Sequence, residues 1–360
     1  MLYHICYELL SPEFHVLNVF RYQTFRAMLA FFLSLAFVLI LQPRFIRYVR
    51  DRKVGQPIRE DGPQSHLPKQ GTPTMGGVVL VIAVIASALL LAELTNLYVW
   101  VVVGLTMSYA ALGFWDDYRK VILKNSKGVS ARTKLLWQFA CAFVAVVVLV
   151  AFAPGFTTTV AMPFFKNAEV DLGYWYVLFA MIVIVGASNA VNLTDGLDGL
   201  VIGPTMTTAF AYGVFAYVTG HAQIAQYLQI PFVSGAGELS IVCAAMIAGG
   251  LGFLWYNSFP AQVFMGDVGA LAIGGTIGML ALITKQEIVL LICGGIFVVE
   301  ALSVILQVAS FKLTGRRIFK MAPLHHHYEL LGLSEPKIIV RAWIISIVLA
   351  VVSLATLKLR

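Results

Sequence analysis

Ten apolar stretches dominate this sequence, and they constrain its fold more than any other feature. A transmembrane helix needs about 20 mostly apolar residues, and short connections separate the stretches along nearly the whole chain. The predicted spans cover residues 24–41, 74–91, 98–115, 135–152, 174–191, 200–218, 239–256, 270–283, 288–309 and 338–357. The eighth span is short and rich in glycine, which is typical of close packing between membrane helices.

The composition supports the same interpretation. Hydrophobic residues make up 59% of the chain and charged residues only 12%, whereas soluble domains carry roughly 25% charged residues. Such a chain cannot cover a folded surface with polar groups, which excludes an ordinary soluble enzyme. The sequence therefore predicts an all-α, polytopic membrane protein in which residues 1–360 form a single membrane-embedded domain.

Lysine and arginine are concentrated in connections of the same parity. Eighteen of the 25 lie in the first, third and ninth connections, whereas the even-numbered connections contain only Lys166 and Lys285. Cytoplasmic loops of membrane proteins carry an excess of these residues. The odd connections, and any active site built from them, are therefore predicted to face the cytoplasm, and both termini to face outward. Arg21 and Arg26 argue weakly for the opposite orientation.

Two adjacent acids, Asp116 and Asp117, stand at the end of the third predicted span and precede Arg119 and Lys120. Neighbouring carboxylates repel each other, and the dipole at a helix C-terminus disfavours both. Pairing with the adjacent bases at a solvated helix end is one explanation. A divalent cation or a proton-transfer role would also explain why two acids are tolerated there.

The fifth and seventh connections contain acids and asparagines but no lysine or arginine. Their polar residues are Asn192, Asp195, Asp198, Asn257 and Asp267. Asp-Gly pairs are common in tight turns, so turn formation alone could explain each acid. Uncompensated carboxylates beside a membrane more often indicate a metal or substrate site. These acids are predicted on the same side of the membrane as the adjacent acids of the third span.

The ninth connection contains three consecutive histidines, His325, His326 and His327, near Arg316 and Lys320. Consecutive side chains point in different directions, which disfavours binding of one metal ion by all three. Contacts with a phosphate or a nucleotide suit them better, and a solvated basic loop is the alternative.

The ninth predicted span itself carries three polar residues on one helical face, Glu300, Ser303 and Gln307. Their spacing of i, i+3 and i+7 places them in one stripe. Hydrogen bonding between helices is the simpler explanation. A stripe that lines a lipid or substrate groove is the alternative.

Carboxylates surrounded by lysines indicate Mg²⁺ together with a polyphosphate, because the metal bridges acid and phosphate oxygens while lysine offsets the remaining charge. Zinc fits poorly, since no cysteine or spaced histidine set accompanies the acids. Nucleic acid is excluded as a partner, because the basic residues lie in membrane connections without a recognisable binding module. The residues alone thus predict Mg²⁺-dependent handling of a phosphorylated substrate at the inner membrane face.

Six short motifs resemble the signatures of the polyprenyl-phosphate hexose-1-phosphate transferases. They lie at residues 61–63, 71–77, 114–120, 192–200, 264–269 and 322–329. The resemblance covers essentially the whole chain. Within this family, the unbroken histidine triplet after Ala322-Pro323 is similar to the members that use a MurNAc-pentapeptide donor, whereas the corresponding loop of the GlcNAc-1-phosphate transferases differs.

The resemblance implies transfer of phospho-MurNAc-pentapeptide from UDP-MurNAc-pentapeptide to undecaprenyl phosphate at the bacterial inner membrane. The products are lipid I and UMP, in the first membrane step of peptidoglycan synthesis. The resemblance also implies a homodimer, which the residues themselves do not indicate. A GlcNAc-1-phosphate transferase and a transporter of a lipid-linked solute are the alternatives. Transporter sites usually lie near the bilayer midplane, whereas most polar clusters here lie at one membrane face.

Carried over to the matching positions, the resemblance implies three catalytic acids, Asp116, Asp117 and Asp267. Asp267, with Asp117, would bind Mg²⁺, and Asp116 or Asp117 would take a proton from the lipid phosphate. The implied substrate-binding residues are Lys69, Thr74, Lys120, Lys124, Lys134, Asn192, Asp195, Asp198, Asn257, Phe264, His325, His326 and His327.

Overall fold

The computed structural model describes residues 1–52, 69, 71–125, 127–165 and 168–358. α-Helices make up most of this part of the chain. They are α1 (Gln23–Asp51), α2 (Gly77–Leu91), α3 (Leu97–Val121), α4 (Ala131–Phe152), α5 (Trp175–Thr194), α6 (Ile202–Thr219), α7 (Ala222–Leu228), α8 (Leu239–Asn257), α9 (Gly266–Ile283), α10 (Leu290–Cys293), α11 (Gly295–Thr314), α12 (Leu324–Leu330) and α13 (Glu335–Ala355). Two short strands, β1 (Thr159–Ala161) and β2 (Glu169–Asp171), pair in an antiparallel hairpin between α4 and α5.

Each of the ten predicted spans is helical over most of its length. Among the described residues, eight helices are long and apolar enough to cross a membrane, and α2 is a shorter apolar helix. The chain is therefore a multi-pass, all-α membrane protein, as predicted from its composition. The number of ten spans and the orientation of the termini stay predictions.

Several helix ends differ from the predicted ones, because packing rather than apolarity decides where a helix ends. The first helix was predicted to end near residue 41, but α1 continues through Pro43 to Asp51 and still buries Ile46 and Val49. The ninth predicted span is interrupted at Gly294, between α10 and α11. The seventh connection was predicted to contain Asp267, which instead lies in the first turn of α9.

Helix α9 lies at the centre of the molecule, and all of its residues from Val268 to Ile283 are buried. Its glycines allow the neighbouring helix α5 to approach its backbone. A Cβ on Gly274 would lie 2.6 Å from the Cα of Ser188, and a Cβ on Gly278 would lie 2.8 Å from the Cα of Ile184. The expectation that this glycine-rich span packs closely is thus confirmed. Because α9 is fixed on several sides, its first turn is a rigid support for any residue placed there.

Contacts between connections define one end of the molecule, here called the carboxylate end. Lys69 of the first connection and Ala261 of the seventh both donate hydrogen bonds to Asp198 of the fifth. Lys134 of the third connection donates to Asp267 at 2.7 Å. The ninth connection joins them, since one of its histidines lies against the fifth. All five odd-numbered connections therefore meet at this end.

The even-numbered connections meet at the opposite end. Asn96 of the second connection donates to the Gly235 carbonyl of the sixth at 2.8 Å. Lys285 of the eighth connection donates to the Thr157 carbonyl of the fourth. The side of the membrane on which each end lies stays a prediction from the distribution of lysine and arginine.

Candidate active site

Three carboxylates converge at the carboxylate end. Asp116, Asp117 and Asp267 can each offer one oxygen such that all three oxygens lie within 4.8 Å of one another. Asp116 and Asp117 are buried, whereas 17% of the Asp267 side chain is exposed. The two adjacent acids predicted to lie at a helix end thus share one site with the acid of the seventh connection. Such a group of oxygens is able to hold a divalent cation.

Glycine allows this convergence, because it lets α3 touch the start of α9. A Cβ on Gly113, one turn before the adjacent acids, would overlap the Asp267 carbonyl and lie 2.6 Å from the Cα of Val268. Gly266 has a φ of +76°, and a Cβ there would lie 2.5 Å from the Oδ2 of Asp117. Any larger side chain at either position would separate the carboxylates.

The start of α9 also binds one of the adjacent acids directly. The backbone N–H groups of Asp267 and Val268 donate to the Asp117 carboxylate, the latter at 3.3 Å. These N–H groups belong to the first turn of a helix, where the dipole favours negative charge. The helix dipole of α9 therefore offsets part of the cost of placing Asp117 at the C-terminal part of α3.

Two lysines bridge the remaining acids. Lys134 donates to Asp116 and to Asp267, at 2.7 Å each, and Lys120 forms ion pairs with the same two acids. The backbone N–H of Val129 occupies the other oxygen of Asp116 at 2.6 Å. Lys120 and Lys134 were predicted as phosphate neighbours, and the structure places them on the carboxylates. Lysines in this position can also reach a phosphate bound at the same acids.

The fifth connection adds an asparagine and a further acid. Asn192 donates to the free oxygen of Asp267 at 3.0 Å. Burial, together with the nearby carboxylates of Asp267, Asp117 and Asp198, raises the pKa of Asp195 to about 8, and a hydrogen bond from the Gly266 backbone only partly offsets this. Negative charge therefore exceeds positive charge locally, which a bound cation would relieve.

The segment just before α2, residues 73–76, is hydrogen-bonded to Phe264 in the segment just before α9. The Phe264 N–H donates to the Pro73 carbonyl at 2.8 Å, and the Gly76 N–H donates to the Phe264 carbonyl at 2.9 Å. This pairing places the half-buried Phe264 beside the buried Thr74. Asn257 supports the same loop, since its amide donates to the Val263 carbonyl at 2.8 Å.

The structure does not bring every predicted residue to the site. Lys124 is exposed, has a φ of +50°, and forms no hydrogen bond or ion pair within the described residues. The motif at residues 61–63, together with Lys53, Arg59 and Lys166, lies outside the described residues.

The three histidines lie on the short helix α12 and have three different partners. His325 is buried against the fifth connection, where a Cβ on Gly196 would overlap its imidazole ring. The Nδ1 of His326 lies 2.7 Å from Glu329, and the Nδ1 of His327 accepts the Lys320 N–H at 3.1 Å. This fits the expectation that the histidines do not share one metal ion.

The polar stripe of α11 holds the histidine connection rather than another helix. Glu300 accepts the backbone N–H of His325 at 3.3 Å and lies 3.2 Å from its Nδ1. Gln307 accepts the N–H groups of Ile318 and Phe319 and donates to the Phe319 carbonyl. The simpler explanation, bonding between membrane helices, was therefore wrong, because the ninth connection folds back onto α11.

One polar residue at this end escaped the sequence analysis. Glu335, in the first turn of α13, accepts from Lys69 at 2.6 Å and from the Asp198 N–H at 3.0 Å. Ser334-Glu335-Pro336 is an ordinary helix start, so the local pattern contains no signal that separates this acid from a capping residue.

Comparison with known proteins agrees with this geometry. Residues 99–285 match the model of glycosyl transferase family 4, and this match defines the class of the molecule. Residues 69–81 match phospho-N-acetylmuramoyl-pentapeptide-transferase signature 1. The same segment contains Lys69, Thr74 and the residues that pair with the loop before α9.

Full-length relatives narrow the class further. The chain is 56% identical to the phospho-N-acetylmuramoyl-pentapeptide-transferase of Pelobacter propionicus, 54% identical to that of Citrifermentans bemidjiense and 53% identical to that of Geobacter sp. (strain M21). Each match covers 100% of both chains. The chain therefore belongs to the phospho-N-acetylmuramoyl-pentapeptide-transferase family, and the resemblance deduced from its motifs is confirmed.

Proposed function

We propose that this protein transfers phospho-MurNAc-pentapeptide from UDP-MurNAc-pentapeptide to undecaprenyl phosphate, which yields lipid I and UMP. The observation that carries this proposal is the convergence of Asp116, Asp117 and Asp267 beside two lysines. Carboxylates that hold a cation, next to ammonium groups that offset phosphate charge, suit the transfer of a phosphoryl-linked group. The names of the full-length relatives supply the donor class.

The acids fit a magnesium ion, because Mg²⁺ prefers oxygen ligands and is usually held by one or two carboxylates together with substrate phosphates. Asp267 and Asp117 would hold it. Asp116 is less accessible, since its side chain is fully buried, whereas 17% of the Asp267 side chain is exposed. When bound, Mg²⁺ supplies charge neutralisation at the diphosphate of the donor.

The protein's own side chains would carry out the remaining tasks. Lys120 and Lys134 offset the charge of the diphosphate, and Asp116 fixes both lysines. Asp116 or Asp117 would accept a proton from the lipid phosphate, and Asp116 bonds both lysines, whereas Asp117 bonds backbone N–H groups. Asn192 orients the Asp267 carboxylate through its amide.

The residues of the fifth and seventh connections would bind the nucleotide and the sugar. Asp195, Asp198, Asn257 and Phe264 lie on these two connections, on the α5 and α8 side of the acids. His325, buried against Gly196, would contact the donor or its diphosphate from the ninth connection. Thr74 lies beside Phe264, because the segments that contain these two residues are hydrogen-bonded to each other.

The carboxylate end would face the cytoplasm of a bacterial cell, in the inner membrane, where a soluble nucleotide donor is available. Single cysteines placed beside Lys124 and beside Gly235 should then react with an impermeant reagent from opposite sides of oriented vesicles. Labelling of both from one side would contradict the predicted topology. Assembly as a homodimer stays a prediction from the family resemblance.

Release of UMP by the purified protein in detergent tests the proposed reaction. We expect UMP only when UDP-MurNAc-pentapeptide, undecaprenyl phosphate and Mg²⁺ are all present. UDP-GlcNAc in place of the donor is the matched control, and we expect no product from it. UMP from UDP-GlcNAc alone would assign the related transferase activity, and no UMP from either donor would favour transport.

A further inference from the structure

Glu335 is an acid of α13 that joins three elements at the carboxylate end. Its Oε1 accepts the Lys69 ammonium at 2.6 Å and the Asp198 N–H at 3.0 Å, and only 9% of its side chain is exposed. Glu335 belongs to α13, Lys69 to the first connection and Asp198 to the fifth. One carboxylate oxygen thus holds two segments that are far apart in sequence.

The Asp198 side chain closes the same cluster. Its Oδ1 accepts Lys69 at 2.8 Å, and its Oδ2 accepts the Ala261 N–H of the seventh connection at 2.9 Å. Lys69 therefore lies between two carboxylates, with the Phe259 ring 5.8 Å from its Nζ. Two carboxylates and one ammonium leave a net negative charge, so this cluster suits the hydrogen-bond donors of a nucleoside or sugar better than a diphosphate.

Helix α13 also holds the rest of the fifth connection. The Trp343 indole donates to the Gly199 carbonyl at 3.2 Å. Leu197 and Leu200 pack with Ile338 and Ile339 in a small apolar cluster. The fifth connection is therefore fixed on α13 by apolar contacts and by Trp343, so the loop keeps support if the Glu335 bond is lost.

We propose that Glu335 is a positioning residue for the nucleotide-sugar donor, acting through Lys69 and Asp198. This inference rests on the proposed function. Because the ammonium is held between both carboxylates, loss of the Glu335 charge leaves Lys69 paired with Asp198 alone and weakens donor binding. The lysines at the catalytic acids, Lys120 and Lys134, are not touched, so binding of the lipid phosphate and the chemical step are preserved.

The first test is a kinetic comparison of Glu335→Gln with the wild type. Glutamine keeps the size of the side chain and an oxygen for the Asp198 N–H, but not the charge that holds Lys69. We expect the KM for the donor to rise about tenfold, with kcat and the KM for undecaprenyl phosphate changed by less than about twofold. Asp51→Asn is the matched control, because it removes one exposed acid at the same end, and should change no constant.

A double-mutant cycle then separates positioning from simple support of the fold. In a Lys69→Met background, Glu335→Gln should add less than about a twofold effect, because the two residues act through one contact. Equal effects of Glu335→Gln in both backgrounds would contradict the inference, as would a parallel loss of kcat and thermal stability. If Glu335→Gln does not fold, Lys69→Met alone must still raise the donor KM selectively, and a normal donor KM would overturn the inference.

A binding measurement distinguishes failure of this inference from failure of the proposed function. Calorimetric titration with UMP needs no turnover, and Glu335→Gln should weaken UMP binding about tenfold. If the wild type releases no UMP from the donor while this weakening is observed, the proposed function fails and the positioning role stands. The other outcome is an active wild type together with a Glu335→Gln variant that has normal UMP binding and a normal donor KM. That outcome would contradict the positioning role and leave the proposed function intact.

Discussion

The two ends of the molecule differ in how their charged side chains are paired and how far those side chains are exposed. At the opposite end, Arg26 forms two hydrogen bonds with Glu238, at 2.6 and 2.7 Å, and both side chains are 2% exposed. Arg26 also donates to the Leu91 carbonyl, and Glu238 also accepts from the Glu93 N–H and the Gln23 amide. At the carboxylate end, two lysines that are 21% and 27% exposed pair with two of the three carboxylates. One end is sealed and matched in charge, whereas the other is open and carries excess negative charge.

The difference indicates what each set of charges does. A matched pair that excludes water fixes helices in place and has no free valence for a ligand. Removal of one partner leaves an uncompensated buried charge, which is costly. Excess carboxylates near solvent are destabilising alone and become favourable when a cation binds. Thus the Arg26–Glu238 pair should govern stability, and the three acids should govern turnover.

The largest expected effect is on stability. Arg26→Met should lower the free energy of unfolding by about 3–5 kcal/mol, because Glu238 is left buried without its partner. Thermal melting in detergent measures the loss, and UMP release per folded molecule should be unchanged. The double variant Arg26→Met/Glu238→Met should recover much of the melting temperature. A single variant as stable as the wild type would contradict a structural role for this pair.

The next largest effect is on turnover. Asp267→Asn keeps the size of the side chain but removes the charge that would hold Mg²⁺, so UMP release should fall at least about 100-fold. The variant also loses the ion pairs of Asp267 with Lys120 and Lys134, so UMP release is measured per folded molecule. Near-normal turnover of Asp267→Asn at low Mg²⁺ would show that this residue does not hold the metal.

Binding of Mg²⁺ should give a smaller and reversible change in the free energy of unfolding. Mg²⁺ at ten times its dissociation constant should stabilise the wild type by about 1.4 kcal/mol, since binding to the folded state alone stabilises it by mass action. The same addition should not stabilise Asp267→Asn, and it should stabilise Arg26→Met as much as the wild type. A salt of matched ionic strength is the control. Equal stabilisation of Asp267→Asn would show that Mg²⁺ acts elsewhere.

The smallest effect concerns a second buried pair at the opposite end. Burial lowers the pKa of Lys285 to about 8 and raises that of Glu287 to about 7, and the hydroxyl of Tyr176 links the two side chains. The raised Glu287 makes stability fall as pH rises through 7, and the lowered Lys285 makes stability recover as pH rises above 8. We expect a shallow minimum of about 1 kcal/mol between these values.

Thermal melting from pH 5 to pH 10 measures this minimum. The double variant Lys285→Met/Glu287→Gln should remove the recovery above pH 8, whereas the fall in stability through pH 8 that follows from the raised pKa of Asp195 should persist. A minimum that survives in the double variant would assign the pH dependence to other groups.

The fold class and the positions of the spans could be predicted, because a bilayer selects for apolar runs of fixed length regardless of tertiary contacts. Asp116, Asp117 and Asp267 were also identifiable, since uncompensated acids beside a membrane are costly unless they have a role. Both inferences depend on properties that single residues or short windows carry.

The contacts between different connections were not predictable from the sequence. The positive-inside rule assigns a side to each connection but contains no information on which connections touch. The ion pairs of Lys134 with Asp116 and Asp267 were therefore not predicted, and Glu300 was assigned to neighbouring helices rather than to His325. Glu335 was missed because its role depends entirely on two segments remote in sequence.

The glycine contacts around the first turn of α9 have a consequence for drug resistance. Gly113 lies against one side of this turn, and Gly77 lies against another, where a Cβ would be 2.5 Å from the Cα of Gly269. The separation of Asp117 and Asp267 is thus set by contacts of main chain against main chain. A substitution that added even a methyl group there would displace Asp267. It would therefore reduce the activity of the enzyme as well as the binding of any inhibitor that contacts the acids. An antibiotic that engages this rigid turn would therefore leave few escape mutations at these glycines.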